Sequence, residues 1–358
     1  MNIGKFSSII MKNKIKYAFL RGEDDRKMKK YQIKQSIKLL KKRRIKYANS
    51  KGYDRLINLI TKKEKVNKDN VIILQGSTLG VFYFFLMMEE NKRVMICRPY
   101  YPLYKELAIM MKKSTSFLDL SINNFDLTFD YFIENLKDDI KYVIINTPHN
   151  PTGKVFDYNE IEKIINYCEE NKIYILLDLV YEDIVYKENN KIMYKDYKYI
   201  ILLKSFSKSY NMTGVRIGYI IGTKSIVEKY NNYLMNSLVS IPIIPQEIAY
   251  SSLKKNKIYT LKKYITNREI VKKFIDENNL EYISLDGSFY VFINIEKYDM
   301  TSYEFSIDLA KRSKVAVLPG SIFGDDRYIR IGYMVNTKYL KRGLKRISDY
   351  LKNKNSIA

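Results

Sequence analysis

Six short runs dominated by Val, Ile and Leu limit most strongly how this chain folds: Val71 to Leu74, Arg93 to Cys97, Lys141 to Asn146, Ile173 to Asp178, Tyr199 to Leu203 and Ile217 to Ile221. Apolar residues follow one another in these runs instead of alternating, the pattern of strands buried on both faces. Between them, helical spacing predicts helices over about 79–91, 101–112, 158–171 and 224–238. This alternation predicts an α/β fold, a mostly parallel, doubly wound sheet with right-handed crossovers. Upstream, Tyr31, Ile33, Ile37 and Leu40 recur near helical spacing within Lys29 to Lys46, an amphipathic helix with a basic outer face. Beyond about residue 258 the pattern changes. One long charged helix runs from Tyr259 to Asn278, strands fall around Gly287 to Ile293 and Tyr328 to Gly332, and a helix from Lys338 to Lys352 closes the chain. The expected division is a large domain over 30–258 and a smaller α+β domain made of 1–29 and 259–358. With no repeat or low-complexity linker between them, the two should pack closely.

Composition then narrows the chemistry. Hydrophobic residues make up 46% and charged residues 28%, a globular balance. There is one histidine, His149, and only two cysteines, Cys97 and Cys168. That leaves no set of ligands for a zinc site and no disulfide framework, so no metal is expected. A Ser/His/Asp triad would have to use His149, which reads as a polar loop residue; catalysis must otherwise come from Lys, Asp, Tyr, Arg or a cofactor. No stretch reaches the roughly 20 apolar residues of a membrane span, and the first residues carry no apolar signal core. A cytoplasmic protein with no membrane partner is expected. The 63 Lys and Arg against 39 Asp and Glu give a net charge of +24. The densest run is Lys41-Lys42-Arg43-Arg44, but basic residues are scattered among Ile, Asn and Tyr along the whole chain. We read this as compositional bias, with nucleic acid not the expected main partner.

In a parallel sheet, ligands bind beyond the C-terminal strand ends, so the residues after each run deserve inspection. After Val71 to Gln75 comes Gly76-Ser77-Thr78, entering a helix whose free N–H groups and hydroxyls make an anion cradle or a simple N-cap. After Asn146 comes Thr147-Pro148-His149-Asn150-Pro151-Thr152-Gly153, a turn that holds the Asn150 amide at a strand end. Asp178 ends five apolar residues with Tyr181 three positions on, a costly place for a carboxylate unless it meets a cation or donors. Last come Lys204-Ser205-Phe206-Ser207-Lys208 and Gly214-Val215-Arg216-Ile217-Gly218-Tyr219. A lysine among other cations, partly desolvated, is a candidate nucleophilic amine.

Read in this order, the segments resemble the pyridoxal-phosphate-dependent aminotransferases of class I/II, of fold type I, over nearly the whole chain. The likeness includes Leu20-Arg21-Gly22-Glu23-Asp24, Tyr47 with Gly52, Pro99-Tyr100-Tyr101-Pro102-Leu103-Tyr104, Val315-Ala316-Val317-Leu318-Pro319-Gly320 and Tyr328-Ile329-Arg330-Ile331. The resemblance implies that Lys208 joins pyridoxal 5'-phosphate as a Schiff base and, once freed by an amino acid, serves as general base. Asp178 would pair with the pyridine nitrogen, and Tyr181 and Asn150 with the ring 3-oxygen. Gly76, Ser77, Thr78, Ser205 and Arg216 would hold the phosphate, with Tyr47 reaching it from the other subunit of a homodimer. Tyr101 would stack on the ring, where many relatives carry Trp. Arg330, with the backbone near Gly22, would clamp the substrate carboxylate. The implied partners are an amino acid and a 2-oxo acid in a ping-pong reaction.

Gly22-Glu23-Asp24-Asp25 lacks the proline that often follows the Glu in this family, and no residue marks a second carboxylate site. Two rival functions stay open from the sequence. One is a C–S β-lyase or decarboxylase of the same fold, which would release its product without a second oxo acid. The other is a basic nucleic-acid-binding or regulatory protein that keeps the fold.

Overall fold

The computed structural model describes residues 3–23, 26–43, 45–187, 191–255 and 261–355. Asp24 and Asp25 of the N-terminal segment, Arg44 of the basic run and Tyr259 at the start of the expected long helix lie outside these.

A two-residue strand, β1 (Tyr17–Ala18), precedes the strands of the large sheet, which are β2 (Val71–Leu74), β3 (Arg93–Arg98), β4 (Ser114–Asp119), β5 (Ile140–Asn146), β6 (Tyr174–Asp178), β7 (Ile200–Ser205) and β8 (Gly218–Ile221). They lie in the order β2-β8-β7-β6-β5-β3-β4. All run parallel except β8, which is antiparallel to both its neighbours. The six apolar runs are six of these seven strands, and nearly every residue of their cores is buried. At about 2 kcal/mol for each buried Val, Leu or Ile, this sheet supplies a large share of the folding drive. The seventh strand, β4, has the sequence Ser-Thr-Ser-Phe-Leu-Asp and forms an edge half open to solvent, so it lacks the apolar signature.

Helices α1 (Ile3–Met11), α2 (Lys30–Lys41) and α3 (Asp54–Glu64) precede β2. Then α4 (Ser77–Met87), α5 (Pro102–Met110), α6 (Phe129–Glu134) and α7 (Tyr158–Glu170) make the crossovers, and α8 (Lys224–Ser237) and α9 (Ile243–Lys254) follow β8. The helix expected to run to about 46 stops at Lys41, and the one expected to reach about 91 stops at Met87.

The C-terminal part holds β9 (Tyr290–Asn294), β10 (Val315–Ala316), β11 (Leu318–Pro319) and β12 (Tyr328–Gly332) with α10 (Leu261–Glu277), α11 (Ser302–Ser313) and α12 (Thr337–Asn355). An antiparallel sheet, β11-β12-β9, is joined by a small parallel pairing of β1 with β10. Leu340, Leu344, Ile347 and Leu351 form the buried stripe of α12. Phe19, Val180 and Tyr181 pack into this second core, so both ends of the chain and the turn after β6 meet where the two parts touch.

Candidate active site

The C-terminal ends of β2, β5, β6 and β7 open onto a cavity of about 310 Å³ that also takes in residues of β9, β12 and the N-terminal segment. Its floor begins at Gly76. There the chain adopts φ +78°, a conformation that favours glycine, and a Cβ would lie 2.5 Å from Nη2 of Arg216. Ser77 and Thr78 open α4 directly beyond, so two hydroxyls and the free N–H groups of the first turn face the same space as the guanidinium. Arg216 is itself in the left-handed region at φ +58° and donates from Nη1 to the Thr213 carbonyl at 2.9 Å. Holding an arginine there costs about 1–3 kcal/mol of strain, an arrangement that clusters at ligand sites.

Asp178 ends β6, beside Asn146 of β5 in register. The turn that follows is not a helix; its Val180 N–H donates to Asp178 Oδ1 at 3.3 Å. The Tyr104 hydroxyl donates to Oδ2 at 2.6 Å. Burial pushes the carboxyl up to about 6, although Tyr104, Val180 and the nearby Lys208 all pull it down. Tyr181 is buried, with its hydroxyl 3.1 Å from that of Tyr290. Burial also raises Tyr101 to about 12, so this phenol stays protonated.

Lys208 lies in the turn after β7. Its Nζ donates to the Gly22 carbonyl at 2.9 Å and sits 5.9 Å from the Tyr181 ring centroid and 5.8 Å from that of Phe289. Desolvation lowers its pKa, and the cations Arg330 and Arg216 push the same way. Arg330, on β12, lies 3.9 Å from the Tyr290 centroid and 4.7 Å from that of Phe323. It donates from Nη1 to Asn150 Oδ1 at 2.7 Å and from Nη2 to the Leu20 carbonyl at 2.9 Å, while Nε is buried with no hydrogen-bond partner among the described residues. Gly22 is pressed so closely against Tyr290 that a Cβ would run into its hydroxyl.

Gly22, Ser77, Thr78, Tyr101, Asn150, Asp178, Tyr181, Lys208, Arg216 and Arg330 thus line one cavity, with Gly76 at its edge. Ser205 and Tyr47 do not line it. The Ser205 Oγ accepts from the Ser207 N–H at 3.1 Å, and it is Ser207 that faces the space. Tyr47 is 84% exposed. His149 is fully enclosed; burial drives its pKa down to about 3, and its Nδ1 lies 2.8 Å from Thr152 Oγ1, so a neutral ring braces the turn that presents Asn150. The sequence reading did not single out Tyr104 or Tyr290. Tyr104 sits one helical turn past Tyr101, a spacing that signals a shared face, whereas nothing local marks Tyr290 among 33 tyrosines.

A doubly wound sheet whose C-terminal edge gathers a lysine, a buried carboxylate and an anion cradle beneath a smaller α+β unit is the architecture of a fold type I transferase. Residues 16–347 match the family model for aminotransferase class I and II. The (5-formylfuran-3-yl)methyl phosphate transaminase of Methanocaldococcus jannaschii is 32% identical over 92% of this chain and 90% of its own length. Aspartate aminotransferase from Thermotoga maritima superposes with a TM-score of 0.90 at 23% identity over 98% of this chain and 95% of that one, a likeness of fold. A Methanococcus jannaschii protein, described as similar in its active site to kynurenine aminotransferases, superposes with a TM-score of 0.86 at 29% identity over 98% of this chain and 96% of its own. The chain belongs to the class I and II aminotransferases and is an enzyme of amino-group transfer. The family in general depends on pyridoxal phosphate and works by a ping-pong scheme, the first product leaving before the second substrate enters. Among the described residues no helix is long and apolar enough to cross a membrane.

Proposed function

We propose that this chain binds pyridoxal 5'-phosphate in the cavity described and moves the amino group of an α-amino acid to a 2-oxo acid. The reading rests on one observation: an amine of lowered pKa, a buried carboxylate and an anion cradle converge on a single cavity of about 310 Å³. The donor set fits the group. Ser77, Thr78, Arg216 and the first turn of α4 would hold a phosphate, with Ser205 behind them as a brace for the turn. Asp178, a carboxylate whose donors among the described residues are Tyr104 and Val180, would take a protonated ring nitrogen. The Asn150 amide, its oxygen occupied by Arg330, keeps its N–H2 end for the ring oxygen, beside Tyr181. Tyr101 would cover one face of the ring. Bound there, pyridoxal phosphate supplies a carbonyl for the amine and a ring that withdraws electrons from the α-carbon.

The protein's own groups do the rest. Lys208, neutral in a larger fraction of molecules than an exposed lysine, is the nucleophile and then the base that takes the proton from the substrate α-carbon. Arg330 receives the α-carboxylate, which gives its unpartnered Nε an acceptor. Phe289 and Tyr181 exclude water around Lys208.

We also propose a homodimer, supported by Tyr47 and its neighbours. Ile37, Leu40 and Ile45 are 44%, 51% and 52% exposed, an apolar stretch that a second protomer would cover while Tyr47 reaches its phosphate. The two-part organisation is proposed as a large domain over 30–258 and a small one from 1–29 and 259–358. Cys97 and Cys168 are both buried and unpaired, which suits the reducing cytoplasm.

The test is the visible spectrum. Protein loaded with pyridoxal phosphate should show an absorbance band that bleaches on addition of donor amino acids. Lys208→Ala should lack the band and lose at least about 10²- to 10⁴-fold in turnover. A wild-type protein that takes up no cofactor would overturn the reading.

A further inference from the structure

Directly behind the Lys208 turn lies a group of buried charges that amino-group transfer does not use. In the β7–β8 ladder Lys204 stands opposite Tyr219, and Ser205 opposite Gly218. Side chains alternate across a strand, so Lys204 and Tyr219 share one face of the ladder and Ser205 and Gly218 the other. On the Gly218 face the backbone of Gly76 and Ser77 comes so close that a Cβ on Gly218 would lie 3.0 Å from Ser77 N, which places the anion cradle there. On the opposite face Lys204 Nζ lies 2.7 Å from Glu64 Oε2 and 2.9 Å from Glu182 Oε2. Tyr219 donates to the other Glu64 oxygen at 2.8 Å. The Lys204, Glu64 and Glu182 side chains are only 4%, 6% and 14% exposed. Asp183, the next residue, pairs with Lys191 at 3.0 Å.

Stability does not explain this cluster. Two carboxylates on one buried ammonium are expensive to desolvate, and apolar side chains of equal volume commonly do as well or better. Charge-assisted hydrogen bonds supply direction, which hydrocarbon does not. The segments joined are informative: Glu182 follows Tyr181, Lys204 lies four residues before Lys208, and Tyr219 lies three residues beyond Arg216. We propose that Lys204, Glu64 and Glu182, helped by Tyr219, form a positioning clamp that fixes the Lys208 turn against the Asp178–Tyr181 turn and Arg216. These are positioning residues and touch no substrate. The proposal rests on the reading of Lys208 as the cofactor lysine.

The discriminating variant is the neutral triple Glu64→Gln/Lys204→Met/Glu182→Gln, since Lys204→Met alone would remove the ammonium facing buried Glu182 and leave Glu64 to Lys63 at 3.7 Å. We expect the cofactor-free triple variant to melt within a few degrees of wild type. Its pyridoxal phosphate affinity, titrated by absorbance, should fall by about 10-fold or more, because small misplacements of a reacting group are costly. The pH midpoint of the visible band, which reports on Lys208, should move by about half a unit. In the loaded enzyme kcat should drop with little change in KM for the amino acid. Wild-type affinity and midpoint in the triple variant would overturn the clamp and leave a structural cluster. Should the triple variant fail to fold, Tyr219→Phe decides: about 3-fold weaker cofactor binding supports the clamp, and unchanged binding overturns it. Absence of cofactor uptake by the wild type would instead sink the functional reading, and the clamp with it.

Discussion

Arg330 is stacked between two rings, with two of its nitrogens committed to Asn150 and Leu20. Lysine would keep a charge there but lose the planar fork and the stacking. Arg330→Lys should therefore raise KM for the amino acid about 10- to 100-fold with a smaller effect on kcat, read from steady-state kinetics. Asp178 makes a prediction of a different kind. Its carboxyl sits at about 6 in the folded chain against 3.8 for an ordinary aspartate. Between those two pH values the folded protein keeps a proton that the unfolded chain has released, so stability falls as pH rises through the window and is flat above it. The loss is on the order of 3 kcal/mol at about two pH units. Asp178→Asn does not titrate. Urea unfolding of the cofactor-free proteins should find the two equal near pH 4 and the variant more stable by up to that amount at pH 7, although it has lost the ring-nitrogen partner and most activity.

At the scale of elements, the turn from β2 into α4 shows how a local backbone requirement becomes a binding property. Gly76 combines φ +78° with an arginine where a Cβ would stand. Gly76→Ala must therefore push the guanidinium away and strain the backbone by about 1–3 kcal/mol. The expected outcome is a lower melting temperature together with cofactor binding weakened by about 10-fold or more, measured by titration with pyridoxal phosphate. Such turns were legible in the sequence because strand ends are sharply marked by apolar runs, and six of the seven large-sheet strands were found in this way. Elements without that contrast were not. Helix α9 opens with Pro242 just before it and Pro245 in its first turn, which hides it. Its packing is partly polar: Gln246 accepts from the Tyr53 N–H and donates to the Ile241 carbonyl, and Ser252 accepts from Gln32 of α2. Amide side chains sewing helices together leave no apolar stripe to read. The buried Lys204 cluster escaped for a similar reason, since its members come from four separate segments and only the fold unites them.

At the scale of the whole molecule, the lone neutral histidine and the two buried thiols leave the chemistry to a lysine, a carboxylate and two arginines gathered from both parts of the chain. The proposed dimer adds one group from outside. Tyr47 lies on the segment between α2 and α3, exposed in its own protomer and off the cavity. If it completes the phosphate site of the partner, two crippled chains should repair each other. Tyr47→Ala keeps Lys208 but spoils the site across the interface, and Lys208→Ala kills its own site but still offers Tyr47. In a mixed dimer one site then has Lys208 from the first chain and Tyr47 from the second, and is native, while the other has neither. Random reassociation of equal amounts makes half the dimers mixed, so about a quarter of the wild-type number of native sites should return. At limiting cofactor, activity of the refolded mixture should therefore exceed the mean of the two separate variants by about that quarter, the Lys208→Ala homodimer being silent. Activity equal to the mean would place Tyr47 outside the partner's site, and a single-protomer mass by light scattering would remove the dimer itself.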